Sequence, residues 1–237
     1  MLIEKIKKEL AVYDRPENKI DVQRFHKEKI DEKYRYAIKT PLLRKVSNKI
    51  FMEIKSKPKE EILKDCDRLL ESSLRHRKFF AFEWASKIRK EYKKSDFARF
   101  ESWLKKYVND WGACDHICGS ILGYLLKDYP ELFTKTTKWT KSKNRWLRRA
   151  AAVSLIIPVR NGKMLDKVFK TADILLMDED DMVQKGYGWM LKEAGNRFEK
   201  EVFEYVMKNR KVMPRTALRY AIEKMPAQKR REAMQKD

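Results

Sequence analysis

The chain has 237 residues, with Lys+Arg 56 against Asp+Glu 35 for a formal net charge of +21 at pH 7, and 43% of its residues are hydrophobic. A chain of this length buries a substantial core without disulfides or metal, and its Trp 6, Tyr 10 and Phe 11 exclude a disordered polyelectrolyte, which pairs high charge with few aromatics. No apolar run approaches the roughly 20 residues of a membrane span, and the positive excess points to a polyanionic partner.

The opening segment, MLIEKIKKELAVYDR, is charged every few residues and lacks the apolar core of a signal peptide. With three cysteines, an odd number, this predicts reduced thiols and a cytoplasmic protein, at the nucleoid in a prokaryote. Thr40-Pro41-Leu42-Leu43 places a proline in a first helical turn. In residues 79–88 one stripe carries Phe80, Phe82 or Trp84, Ala85 and Ile88, the period of a core-facing helix. Ile117, Ile121, Leu122 and Leu125 repeat that pattern, as do Val202, Phe203 and Val206. Ser47 to Phe51 and Ala151 to Ile157 are the only plausible strands, and both lie inside longer helical patterns. Tyr129-Pro130, Pro158 with Asn161-Gly162, Pro214 and Pro226 punctuate the remainder. The acidic run Asp178-Glu179-Asp180-Asp181 suits a helix N-terminus, which the macrodipole favours, better than a metal site.

Helices are expected to open near Arg77, Trp111, Arg145 and Met182, about 35 residues apart, the range of helical-hairpin repeats. The expected fold is therefore all-α, an α-solenoid of stacked helical hairpins with a concave surface. No Gly/Ser-rich linker interrupts the series, so residues 1–237 are expected to form one domain.

The charge is segregated. Residues 132–165 contain no acid but hold Lys135, Lys138, Lys141, Lys143, Arg145, Arg148, Arg149, Arg160 and Lys163. Residues 205–222 are also acid-free and hold Lys208, Arg210, Lys211, Arg215 and Arg219. Such segregation favours a phosphate-binding stripe over a solvated face of interleaved signs.

Metal and nucleophile chemistry have little to stand on. The histidines are His26, His76 and His116. Cys114 and Cys118 lie one turn apart without the second ligand pair that zinc needs, so core packing is the better reading. Cys114 with a histidine is supported only by residue type, and no P-loop, dinucleotide glycine motif or G-x-S-x-G element is present.

One constellation stands apart. Trp111 and Asp115 are i and i+4 on one helix face; Arg149 follows 34 positions later, and Trp189 a further 40. Equivalent positions of stacked repeats lie side by side, which would flank a carboxylate with two indoles and an arginine. The same spacing also suits tryptophans that only pack helices and an aspartate that only caps or pairs.

The segments Asn109-Asp110-Trp111-Gly112-Ala113-Cys114-Asp115, Tyr129-Pro130-Glu131-Leu132, Arg145 to Ala151, Gln184 to Leu191 and Met213 to Glu223 together resemble the AlkD family of DNA alkylation repair enzymes. The likeness is clearest over residues 105–225; the N-terminal half agrees in helical layout and in Ile38-Lys39-Thr40-Pro41. It implies a HEAT-like solenoid and a monofunctional DNA glycosylase that releases N3- and N7-alkylated purines from duplex DNA without strand cleavage. Asp115 would be the catalytic carboxylate, Trp111 and Trp189 its groove tryptophans, and Arg149 the arginine beside the lesion. Lys143, Arg145, Arg148, Lys185, Arg215 and Arg219, with Arg44 in the N-terminal half, would contact DNA. Gly112 and Ala113 are smaller than the family pattern leads one to expect. A monomer is expected, with no cofactor, no metal and no membrane partner; a non-catalytic module for damaged or branched DNA and a scaffold for an acidic protein are the alternatives.

Overall fold

A computed structural model describes residues 2–25, 29, 31 and 35–235. His26 lies outside these residues. Among the described residues the chain is all-α apart from one short antiparallel ribbon, and it divides into two compact units, Met1–Ile88 and Arg89–Asp237.

In the first unit, helix α1 (Leu2–Ala11) is followed by strand β1 (Lys19–Asp21), which pairs with β2 (Tyr36–Ile38) in the register Lys19↔Ile38. Sequence patterning did not anticipate this ribbon, because three residues per strand are too few to establish an alternation. Helices α2 (Thr40–Ile54), α3 (Lys59–Glu71) and α4 (Arg77–Lys87) follow in the same unit. Pro41 sits in the first turn of α2, and Ser47 to Phe51 is interior helix rather than strand. Ile6, Val46, Ile50, Leu63, Leu69, Phe80 and Trp84 are buried, and the Trp84 indole N–H donates to the Ser47 carbonyl at 3.2 Å.

The second unit stacks helices in succession. Helix α5 (Phe97–Tyr107) precedes α6 (Trp111–Ile117), which runs through one π turn (Cys118–Leu122) into α7 (Gly123–Asp128). After α8 (Phe133–Thr136), helix α9 (Arg145–Val153) breaks at Ser154 and continues as α10 (Ile156–Arg160). That break has a local cause. Pro158 has no N–H, and its ring opposes the carbonyl four residues back, at Ser154. Ser154 N and Oγ both still donate to the Ala150 carbonyl, so the helix is intact up to the break. Ala151 to Ile157 is thus a broken helix, not a strand. Gly162, at φ 74, turns the chain after α10 in a conformation that glycine adopts freely. Helices α11 (Leu165–Leu175), α12 (Asp181–Gly195), α13 (Glu199–Asn209), α14 (Arg215–Ile222) and α15 (Ala227–Met234) follow.

Helices therefore open at Arg77, Trp111, Arg145 and Asp181, as the repeat spacing predicts. The last three share a starting device. Asp110 accepts from Ala113 N at 2.7 Å, Asn144 from Trp146 N at 2.9 Å, and Asp180 from Met182 N at 2.9 Å. Each cap satisfies a donor that the first helical turn leaves open and fixes which residue begins the helix. Within this unit α9 packs between α6 and α12.

Helix α12 also packs closely on α14, and Gly188 makes that approach possible. A Cβ there would lie 2.7 Å from Tyr220 Cβ and 2.8 Å from the Ala217 carbonyl oxygen, which belongs to the backbone of α14. Gly188→Ala gains about 1 kcal/mol of helix propensity but overpacks the interface at a cost of up to about 3 kcal/mol. A net loss of about 1–2 kcal/mol is expected, read as a Tm lower by roughly 2–8 °C.

Candidate functional site

Three stacked helices supply the site. Asp115 lies at the fifth position of α6, Arg149 at the fifth of α9, and Met182 and Gly186 on the facing side of α12. Arg149 Nε donates to Asp115 Oδ1 at 2.8 Å, and Nη2 donates to Oδ2 at 2.9 Å. Its third nitrogen, Nη1, donates to the Met182 carbonyl at 2.5 Å. One guanidinium thus bridges three helices through a two-pronged carboxylate pair, the geometry at which its planar fork is strongest.

Burial sharpens the pair. The Arg149 side chain is 7% exposed, the Asp115 side chain 19%. Burial pushes the Asp115 carboxyl above the usual aspartate value, and the hydrogen bonds and charge of Arg149 oppose that rise. Burial alone would lower the Arg149 guanidinium, but the Asp115 carboxylate outweighs it, and Arg149 lies above its usual value. Gly186 supplies the room. A Cβ at that position would lie 3.0 Å from Arg149 Cγ, so the arginine stem rests directly on the α12 backbone. Arg149 is therefore spent on Asp115 and α12, and is not an open phosphate contact.

Trp111, at the first position of α6, is half-buried; so is Trp189, one turn beyond Gly186 on the stripe of α12 that Arg149 touches. The Trp189 indole N–H donates to Glu193 Oε1 at 3.0 Å. Glu193 is 5% exposed, and its Oε2 accepts from Arg160 Nε at 2.9 Å and from Asn196 Nδ2 at 3.0 Å. Sequence reasoning passed over Glu193 and Gly186; the i+4 spacing of Glu193 from Trp189 was the available signal. The small Gly112 fits the tight start of α6, where a Cβ would come within 3.3 Å of the Asp110 cap oxygen.

Cys114 and Cys118 are fully buried core residues that join α6 to α9: Cys114 Sγ donates to the Trp146 carbonyl at 3.5 Å and Cys118 Sγ to the Ala150 carbonyl at 4.0 Å. Burial raises the Cys114 thiol well above its usual value, the opposite of what a thiolate nucleophile needs. In the first unit, burial lowers His76 to about 4, so it is neutral at pH 7.

The basic residues fall into two groups. Arg148 is held by Asp178 at 2.6 Å and by the Ser142 carbonyl at 2.8 Å, and Arg145 pairs with Asp180 at 2.9 Å. Lys185 reaches Asp181 at 3.1 Å. The acidic run 178–181 therefore opens α12, as expected, and also neutralises part of the stripe that looked acid-free along the sequence. Lys143, Arg215 and Arg219 are exposed, with Arg215 Nη2 donating to the Met234 carbonyl at 3.3 Å. Arg44, in the first unit, faces Glu83 at 3.6 Å.

The sequence matches the family model of DNA alkylation repair enzymes over residues 6–225. Solved structures share the fold, among them the following two. One is described as a predicted DNA alkylation repair enzyme from Enterococcus faecalis, with TM-score 0.71 and 16% identity over 94% of this chain and 96% of the other. The second, smu.31 from Streptococcus mutans UA159, has TM-score 0.59 and 18% identity over 78% and 93% of the two chains. No curated protein matches the sequence. With the family model spanning nearly its whole length, this chain belongs to the DNA alkylation repair enzyme family.

Proposed function

We propose that this protein is a monofunctional DNA glycosylase that hydrolyses the N-glycosidic bond of cationic N3- or N7-alkylated purines in duplex DNA. The observation that carries the reading is the half-buried carboxylate of Asp115, held by both prongs of the Arg149 guanidinium on a helix face that also bears Trp111. Alkylation leaves the purine positively charged, so the bond to C1′ breaks with its electron pair neutralising the base. No general acid is needed. The protein has to stabilise the positive charge that builds on the sugar and to orient water, whose oxygen bonds to C1′ as its proton passes to Asp115 or to solvent. The indole faces of Trp111 and Trp189 favour a cationic base by up to about 2 kcal/mol when desolvated. Lys143, Arg215 and Arg219 would grip phosphates, and the protein would act as a monomer on DNA in the cytoplasm.

One observation favours a non-catalytic DNA-binding module. Both Asp115 oxygens already accept from Arg149, the arrangement of a structural ion pair. Each carboxylate oxygen has a second lone pair, so the pair does not saturate Asp115. Methylated duplex DNA incubated with the protein separates the readings. The expected result is free 7-methylguanine or 3-methyladenine by chromatography, with abasic DNA left uncut. Binding without release would support the module. Binding that is absent or insensitive to salt would support a protein scaffold, since each neutralised phosphate contributes a slope of about −0.9 to log K against log salt.

A further inference from the structure

We infer that Glu193 is a positioning residue for base release: it fixes the Trp189 indole, and Arg160 and Asn196 in turn fix Glu193. The assignment rests on the glycosylase reading above.

An indole attracts a cationic base through its ring face, and that attraction is useful only if the ring is held at a fixed angle. Trp189 is half-buried, and its single polar atom is the indole N–H. That N–H is taken by Glu193, one helical turn further along α12. A carboxylate that is 5% exposed is costly to bury without partners, and here three donors converge on it: the indole, Arg160 at the end of α10, and Asn196 just past α12. A side chain needed only to fill that space would be apolar. The carboxylate instead divides its oxygens, one on the tryptophan and the other on two anchors. The chain of contacts runs from α10 through Glu193 to Trp189, on the α12 stripe where Arg149 meets Met182 and Gly186.

The test is a double-mutant cycle. Glu193→Gln is expected to slow single-turnover base release about 10-fold, as for a displaced reacting group, with DNA affinity unchanged. In a Trp189→Phe background, which keeps a ring but has no N–H to hold, the same change should alter the rate less than about twofold. Arg160→Gln, at a side chain 46% exposed, should give a smaller loss that also vanishes in Trp189→Phe, which keeps the test available if Glu193→Gln does not fold. The indole N–H resonance of Trp189, assigned by its absence in Trp189→Phe, should exchange with solvent faster in Glu193→Gln. Equal losses in both backgrounds, or an unaltered exchange rate, would overturn the assignment while leaving the glycosylase reading intact. A wild-type protein that releases no base would overturn the glycosylase reading and this assignment with it.

Discussion

Asp115→Asn is expected to lower the single-turnover rate of base release by at least about 10³-fold while leaving DNA affinity within about twofold. The removal of one neutral donor aimed at a developing charge costs about 10²–10³-fold, and here a full charge is removed from a site of low exposure. Affinity should persist, because on the proposed function it comes mainly from phosphates contacted by side chains elsewhere. The fold should also persist. Asparagine keeps the shape and one acceptor for Arg149, but its amide group faces a guanidinium N–H as donor against donor and the buried guanidinium loses its counter-charge, a loss of about 3 kcal/mol. A pH profile adds a second reading. Burial raises the Asp115 carboxyl above the usual aspartate value, so the ionised form that the proposed mechanism requires is lost at a higher pH than for an exposed aspartate as acid is added. The acid limb of the wild-type rate should therefore lie above the usual 3.8 and be absent from any residual activity of Asp115→Asn. Base release from Asp115→Asn at the wild-type rate would remove Asp115 from the chemistry.

The local signals carried most of the architecture. Asp110, Asn144 and Asp180 each stand one residue before a helix that opens at a repeat position, and a cap is a short-range device visible in a linear string. The same near-constant spacing placed Arg149 opposite Asp115, since equivalent positions of neighbouring repeats are adjacent. Partnerships made across the stack are not written locally. Residues 132–165 look uniformly basic, yet Asp178 and Asp180 lie about 30 positions further on and fold back onto Arg148 and Arg145. The β1–β2 ribbon has too few residues for a period, and in the π turn after α6 the apolar positions Ile117, Ile121 and Leu122 continue a helical pattern, so Gly119 does not mark the added residue. Glu193 had an i+4 relation to Trp189, but its burial comes from Arg160 and Asn196, which only the folded chain brings to it.

Arg149→Met is expected to damage stability and chemistry together. Removing one partner of a buried ion pair typically costs 3–5 kcal/mol because the other charge is left uncompensated. Asp115 retains some contact with solvent, so a loss of about 3 kcal/mol, or roughly 6–12 °C in Tm, is expected. The loss should depend on pH. Arg149 is what opposes the burial-driven rise of the Asp115 carboxyl, so without it the folded-state value climbs further above the unfolded one. Between those two values the native variant holds its proton more tightly than the unfolded chain does, and its stability falls as pH rises through that window. Relative to wild type, the variant should therefore be least impaired in acid, where Asp115 is neutral, and most impaired near neutrality. The acid limb of its rate profile should move to higher pH in step. Asp115→Asn combined with Arg149→Met should be more stable than Arg149→Met alone, because no unpaired carboxylate then remains in the site. Denaturant unfolding of the three variants across pH measures each of these differences. A deficit in Arg149→Met that is constant with pH, and not relieved by Asp115→Asn, would mean that the arginine serves α12 through the Met182 carbonyl and not Asp115.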